Sequence, residues 1–73
     1  MRADGEDIDA DAGEVRAVLT EDELVLIANA LNEVTNGIDI DDDEFSLRLG
    51  ADRSEARRLL ADVKAIVTAL TGR

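Results

Sequence analysis

Seventy-three residues with no Cys, His, Tyr or Trp, a single Phe and a formal net charge of −10 make one domain near the size at which a single core barely offsets chain entropy. Without thiolates or imidazoles there is no disulfide frame, no Cys or His metal site and no ready pairing of nucleophile with base, so an enzyme is not expected and no cofactor is implied. Residues 1–52 hold sixteen of the eighteen acids against Arg2, Arg16 and Arg48, whereas residues 53–73 set Arg53, Arg57, Arg58, Lys64 and Arg73 against Glu55 and Asp62; an acidic body carries one mildly basic helix.

Residues 1–14 contain six carboxylates, two glycines and, after Met1, one large aliphatic side chain, Ile8. A stretch that buries so little cannot offset its own ordering, which predicts a disordered acidic tail followed by a single small helical domain over 15–73. The same stretch is acidic where a signal peptide would be basic and then apolar. No apolar run approaches bilayer-spanning length, so a cytoplasmic protein is expected. Seven Arg against one Lys, amid abundant Ala, Asp and Val, fits coding bias in a GC-rich bacterial genome; a halophile is the other source of such an acidic, Lys-poor chain.

The expected class is all-α, with three helices at about 21–36, 42–49 and 53–71, and their starts share one grammar. Thr20 caps the first, with Glu23 placed to reach back and Leu19 and Leu24 as a hydrophobic staple. Asp41 repeats the arrangement with Glu44, and Asp52 repeats it with Glu55. Leu24, Ile27, Ala28, Leu31 and Val34 line one face of the first helix, and Asn36-Gly37 supplies its stop. Gly50 ends the short second helix. On the third, Ala56, Leu59, Leu60, Val63, Ile66, Val67 and Leu70 recur at helical spacing. Residues 15–19 and 38–40 alternate weakly and are candidates for a short two-stranded bridge, marginal unless helices pack on it.

Around the turn glycine Gly50, a small residue stands four earlier at Ser46, with apolar residues at Phe45, Leu49, Ala51, Ala56 and Leu59. Residues 44–59 thus resemble a helix-turn-helix, in which two helices cross steeply around a tight turn. In the DNA-binding form the second helix enters the major groove by its N-terminal residues, which here are Arg53, Ser54, Arg57 and Arg58. Net charge opposes that use, because a domain of −10 must approach a polyanion against its own field. The stretch Asn29-Ala30-Leu31-Asn32-Glu33-Val34, with Asn36-Gly37-Ile38, Glu44-Phe45 and Arg48-Leu49-Gly50-Ala51 beyond, looks like a pattern of small bacterial proteins and brings no activity with it.

The acid run at residues 39–44 invites a calcium reading, which fails on spacing. A loop starting at Asp39 places Glu44 where an EF-hand needs Gly and Gly50 where it needs Glu; one starting at Asp7 meets Ala12 and Val18 instead. Residues 41–44 suit a helix start, where carboxylates complement the backbone dipole. Ser46 and Ser54 have no base at helical spacing.

Spare apolar surface is the stronger signal. Val25, Leu26 and Ala30 extend the apolar arc of the first helix, and Ala61, Ala65 and Ala69 lie beside the main stripe of the third. A homodimer through Leu59, Val63, Ile66, Leu70, Ala65 and Ala69 is expected. Asp39, Asp42, Asp43, Val25, Asn29 and Asn32 are the candidate contacts for a second, basic protein partner. In size and charge the chain is similar to bacterial immunity proteins and antitoxins that neutralise nucleases, a likeness that implies an acidic inhibitor. A dimeric helix-turn-helix regulator and a structural adaptor subunit are the alternatives.

Overall fold

In the computed structural model, which describes residues 1–37 and 39–72, every helix begins at the residue its capping pattern marks. Thr20 precedes α1 (Glu21–Asn32), Asp41 precedes α2 (Asp42–Leu49) and Asp52 precedes α3 (Arg53–Thr71). The reciprocal box closes at Thr20, whose Oγ1 accepts from the Glu23 N–H while its own N–H donates to Glu23 Oε1. At the other two starts only the forward half forms: the Glu44 N–H donates to Asp41 at 2.7 Å and the Glu55 N–H to Asp52 at 2.9 Å. Glu44 accepts instead from Arg48, one turn on. Three satisfied N-termini of this kind are each worth about 1 kcal/mol.

α1 does not stop at its last regular turn. It widens into a single π turn, Glu33–Gly37, so the first helical run ends one residue beyond the expected position. Such turns are rare and need local support. Here Thr35 supplies it, fully buried and donating its hydroxyl to the Leu31 carbonyl at 2.7 Å. Gly50 ends α2 in the left-handed conformation with φ 72°, which makes the helix-turn-helix corner sterically possible.

The expected bridge between residues 15–19 and 38–40 is replaced by a different pairing. Val15 belongs to a two-stranded antiparallel sheet, but its partner is Ile8: β1 (Ile8–Asp9) pairs with β2 (Glu14–Val15), and Arg2 bridges Val18. Asp39 and Ile40 are in no strand, and Ile38 lies outside the described residues. The acidic N-terminal stretch carries its own turn chemistry. Asp4 caps a 3-10 turn over Gly5–Asp7 with Asp7 closing a capping box, and Asp9 accepts from the Ala12 N–H before Gly13 turns at φ 68°. A two-residue ladder follows more easily from a locally specified turn than from one that must close over residues 20–37.

Arg53, the first residue of α3, donates to the Thr35 carbonyl at the end of the first helical run. The two helices pack along their lengths from that junction, so α3 runs antiparallel to α1. Between them and α2 sits a very small core, among the described residues Phe45, Ala56, Leu60 and Val63, with Thr35 as their one buried polar side chain. Leu24, Ile27, Ala28 and Leu31 of α1 and Val67 and Leu70 of α3 are only half-buried.

The consequence is a slab. Its principal extents are 38 × 34 × 15 Å, two long dimensions and one short one. The radius of gyration, 14.1 Å, exceeds the about 11 Å of a compact chain this long. An accessible surface of 5720 Å² compares with about 4,400 Å² for a compact monomer of this mass.

Candidate functional site

The most built-up polar site lies where the end of α1, the approach to α2 and the start of α3 converge. Arg53 sits at its centre, its side chain only 16% exposed. Nη1 donates to the Thr35 carbonyl at 3.0 Å, Nη2 to the Ile40 carbonyl at 2.7 Å and Nε to Asp42 Oδ1 at 3.1 Å. Its guanidinium lies over the Phe45 ring, 4.6 Å from the centroid. One side chain thus satisfies a carbonyl at the end of the first helical run and one in the approach to α2, and joins three elements. Its planar fork makes this feasible where a lysine could not.

That placement bears directly on the four residues assigned to DNA. Arg53 is directed into the protein. The Ser54 hydroxyl donates to the cap residue Asp52 at 2.6 Å, which, together with the Glu55 backbone N–H, holds the Asp52 carboxyl below its ordinary pKa. Arg57 and Arg58 are exposed. The surface depression at the α3 start is lined by Asp42, Asp52, Arg53, Ser54 and Arg57, so two carboxylates share the ground on which a phosphate would have to settle. The corner also lacks the interlocked inner faces of the motif. Phe45 and Ala56 are buried, but Leu49 and Leu59 are 46% and 53% exposed.

The candidate contacts for a protein partner fall into two groups. Asp39, Asp42 and Asp43 are exposed beside the cap Asp41, and Asp42 keeps most of its carboxylate in solvent despite meeting Arg53. Val25, Asn29 and Asn32 follow at four and three residues along one exposed stripe of α1. Asn32 accepts from the Asn36 side chain at 3.0 Å, which fixes its orientation. A second acidic area is the hairpin, where Glu6, Asp7, Asp9 and Glu14 surround a depression with Val15 and Arg16. Among the described residues no carboxylates cluster closely enough to hold a metal ion, and no helix is long and apolar enough to cross a membrane.

The residues assigned to a dimer separate into three environments. Val63 is buried within the chain and so is not available to a second copy; Leu70 is half-buried. Leu59 and Ile66 are each 53% exposed. Ala65 and Ala69 are exposed farther round α3, at the edge away from α1.

Comparison with protein-family models, with curated proteins and with solved structures found no match. The cluster of Arg53 with Thr35, Ile40, Asp42 and Phe45 was not foreseen from sequence. Its one sequence signal is an arginine at the first position of a helix, nine residues after an acid run and eight after the only aromatic.

Proposed function

We propose that the chain is a non-enzymatic, acidic protein-binding module that docks on a basic protein in the cytoplasm and acts there as an inhibitor in the manner of an immunity protein or antitoxin. The supporting observation is the inward turn of Arg53. Arg53 is turned inward to two backbone carbonyls and an aromatic ring and meets Asp42 through one bond, so Asp39 and Asp43 stay exposed and the Asp42 side chain remains 86% in solvent. Exposed carboxylates accelerate encounter with a cationic partner and set its orientation. Asn29, Asn32 and Val25 then supply the short-range contacts that charge alone lacks.

The test is affinity capture from the source cells with three baits: the native chain, a triple variant with Asp39, Asp42 and Asp43 changed to Asn, and a double variant Arg57→Ala/Arg58→Ala. A basic protein retained by the native and double-variant baits, lost by the triple variant and eluted by salt, is the expected result. The specific observation favouring the regulator is the corner itself, with Gly50 left-handed and Arg57 and Arg58 exposed. On that reading, duplex DNA would be retarded at low salt and the Arg57/Arg58 variant would lose it. A partner captured equally by all three baits would point to the adaptor reading.

A further inference from the structure

Asn36-Gly37 ends the first helical run and also sets an amide side chain beside the least hindered backbone nitrogen a chain can offer. We infer that Asn36 is a site of covalent self-modification, deamidation through a succinimide, which the π turn and the Arg53 junction hold in check while the chain is folded. The reaction needs only the chain and water. The Gly37 backbone nitrogen attacks Asn36 Cγ and closes a five-membered ring; that nitrogen gives up its proton, and the side-chain nitrogen takes one and leaves as ammonia. Water then opens the ring at either carbonyl. An aspartyl or an isoaspartyl residue is left at position 36, with one more negative charge. The chain has three asparagines, Asn29, Asn32 and Asn36, and only Asn36 precedes a glycine.

Three features of the fold oppose the attack. Residues Glu33–Gly37 form a helical turn, and a helical backbone turns the nitrogen of the next residue away from the side chain, so the ring closes only after the Asn36 ψ leaves that range. The Asn36 side chain is also occupied, its Nδ2 donating to Asn32 Oδ1 at 3.0 Å. Next to it the turn is pinned, because the Thr35 carbonyl accepts from Arg53 at 3.0 Å and the Thr35 hydroxyl is anchored on Leu31. The protection is conformational and not steric: Asn36 and Gly37 are exposed, open to water and base. Helix ends open more readily than the fold as a whole, and the reaction follows the open population. Its product favours further opening. A carboxylate at position 36 stands at the C-terminal end of the helical run, where the dipole disfavours it, and lacks the donor that reached Asn32. The isoaspartyl form also adds a backbone carbon beside the carbonyl that Arg53 holds. Deamidation thus loosens the Arg53 junction as the chain ages, whichever partner the chain has.

The test is incubation of the native chain in mildly alkaline buffer, with and without denaturing urea, followed by peptide mass mapping and isoelectric separation. Product at position 36 is expected in both, forming about tenfold or more slowly in buffer than in urea. Asp4-Gly5 is the chain's one Asp-Gly pair, but its ring opens back to an acid, so a gain of negative charge excludes it. Asn32→Ala, an exposed substitution that frees the Asn36 amide, should speed the reaction in buffer and leave the rate in urea unchanged. Arg53→Ala should do the same more strongly. Gly37→Ala should slow the reaction in urea; in the fold its Cβ meets the exposed Glu33 carboxylate at 3.1 Å, a flexible side chain that can move aside. Equal rates in buffer and urea overturn the protection by the fold, and a lack of product at position 36 in urea overturns the site. An unchanged rate in buffer for Arg53→Ala overturns the link to the junction. Should Arg53→Ala fail to fold, the milder Arg53→Lys decides that link, with a thermal melt to show that it is folded.

Discussion

The Arg53 guanidinium stacks on the Phe45 ring at 4.6 Å while two of its nitrogens hold the carbonyls of Thr35 and Ile40. Its third bond runs to Asp42, which is 86% exposed. An ion pair with one partner that open to solvent contributes little, so the carbonyl bonds and the stacking carry the stabilisation. Arg53→Ala should cost about 2–4 kcal/mol, because it orphans two carbonyls and uncovers the aromatic face. Arg53→Lys keeps the charge but not the fork and should cost about 1–2 kcal/mol, whereas Asp42→Asn should stay within about 0.5 kcal/mol. Urea unfolding of the three variants checks the order; a larger loss for Asp42→Asn than for Arg53→Ala would mean that the ion pair dominates after all.

Thr35 is the other half of that junction. Its carbonyl accepts from Arg53, and its buried hydroxyl donates back from the π turn to Leu31 in the last turn of α1 at 2.7 Å. Thr35→Val preserves the branched shape and removes only the donor, leaving the Leu31 carbonyl one partner short. A loss of about 1 kcal/mol is expected. Thr35→Ser keeps the hydroxyl, removes a buried methyl and should cost a similar amount by a different route. If Val were neutral, the π turn would be held by packing and not by the hydroxyl.

What was legible in advance was local. Each cap depends on residues three apart, and all three starts fell where Thr20, Asp41 and Asp52 placed them. The hairpin used the same language and was still missed. Asp4 and Asp7 form a fourth capping pair and Asp9 with Gly13 marks a turn, but composition outweighed turn chemistry in reading residues 1–14. The Arg53 junction was illegible for another reason: its acceptors lie thirteen and eighteen residues away, and nothing in a periodic pattern says that an arginine at a helix start will turn inward. Periodicity likewise could not divide the α3 stripe. Val63 and Leu59 belong to one apolar arc in sequence, yet α1 covers the first and leaves the second half exposed, because the arc is wider than one neighbouring helix.

Gly50 tests the corner independently of any partner. At φ 72° a side chain is strained, yet an added Cβ would meet no atom within 4 Å. The cost of Gly50→Ala is therefore purely conformational, about 1–2 kcal/mol. Asn tolerates that conformation better, so Gly50→Asn should lose less than Ala does. Equal losses for Asn and Ala would indicate that the turn resists side-chain bulk, contrary to the open space around it.

Acid should loosen the start of α1 in a defined window. The N-terminal ammonium donates to Glu23, and with the Thr20 backbone N–H it lowers the Glu23 pKa to about 2, against about 4.3 for an unfolded glutamate. A carboxylate whose pKa is lower in the folded chain stabilises in full above the unfolded value, and this contribution fades as pH falls from about 5 towards 2. Glu23→Gln retains an oxygen acceptor for the capping box but cannot carry the charge. It should melt below the native chain at pH 6, and the difference should close by pH 3 to 2. Asp52→Asn, which keeps a good cap, should show the same convergence, since the Ser54 hydroxyl and Glu55 N–H lower that carboxyl too. Thermal melts across the pH series measure both. A gap that stayed constant down to pH 2 would show that the amide disturbs packing and that neither charge contributes to holding its helix start.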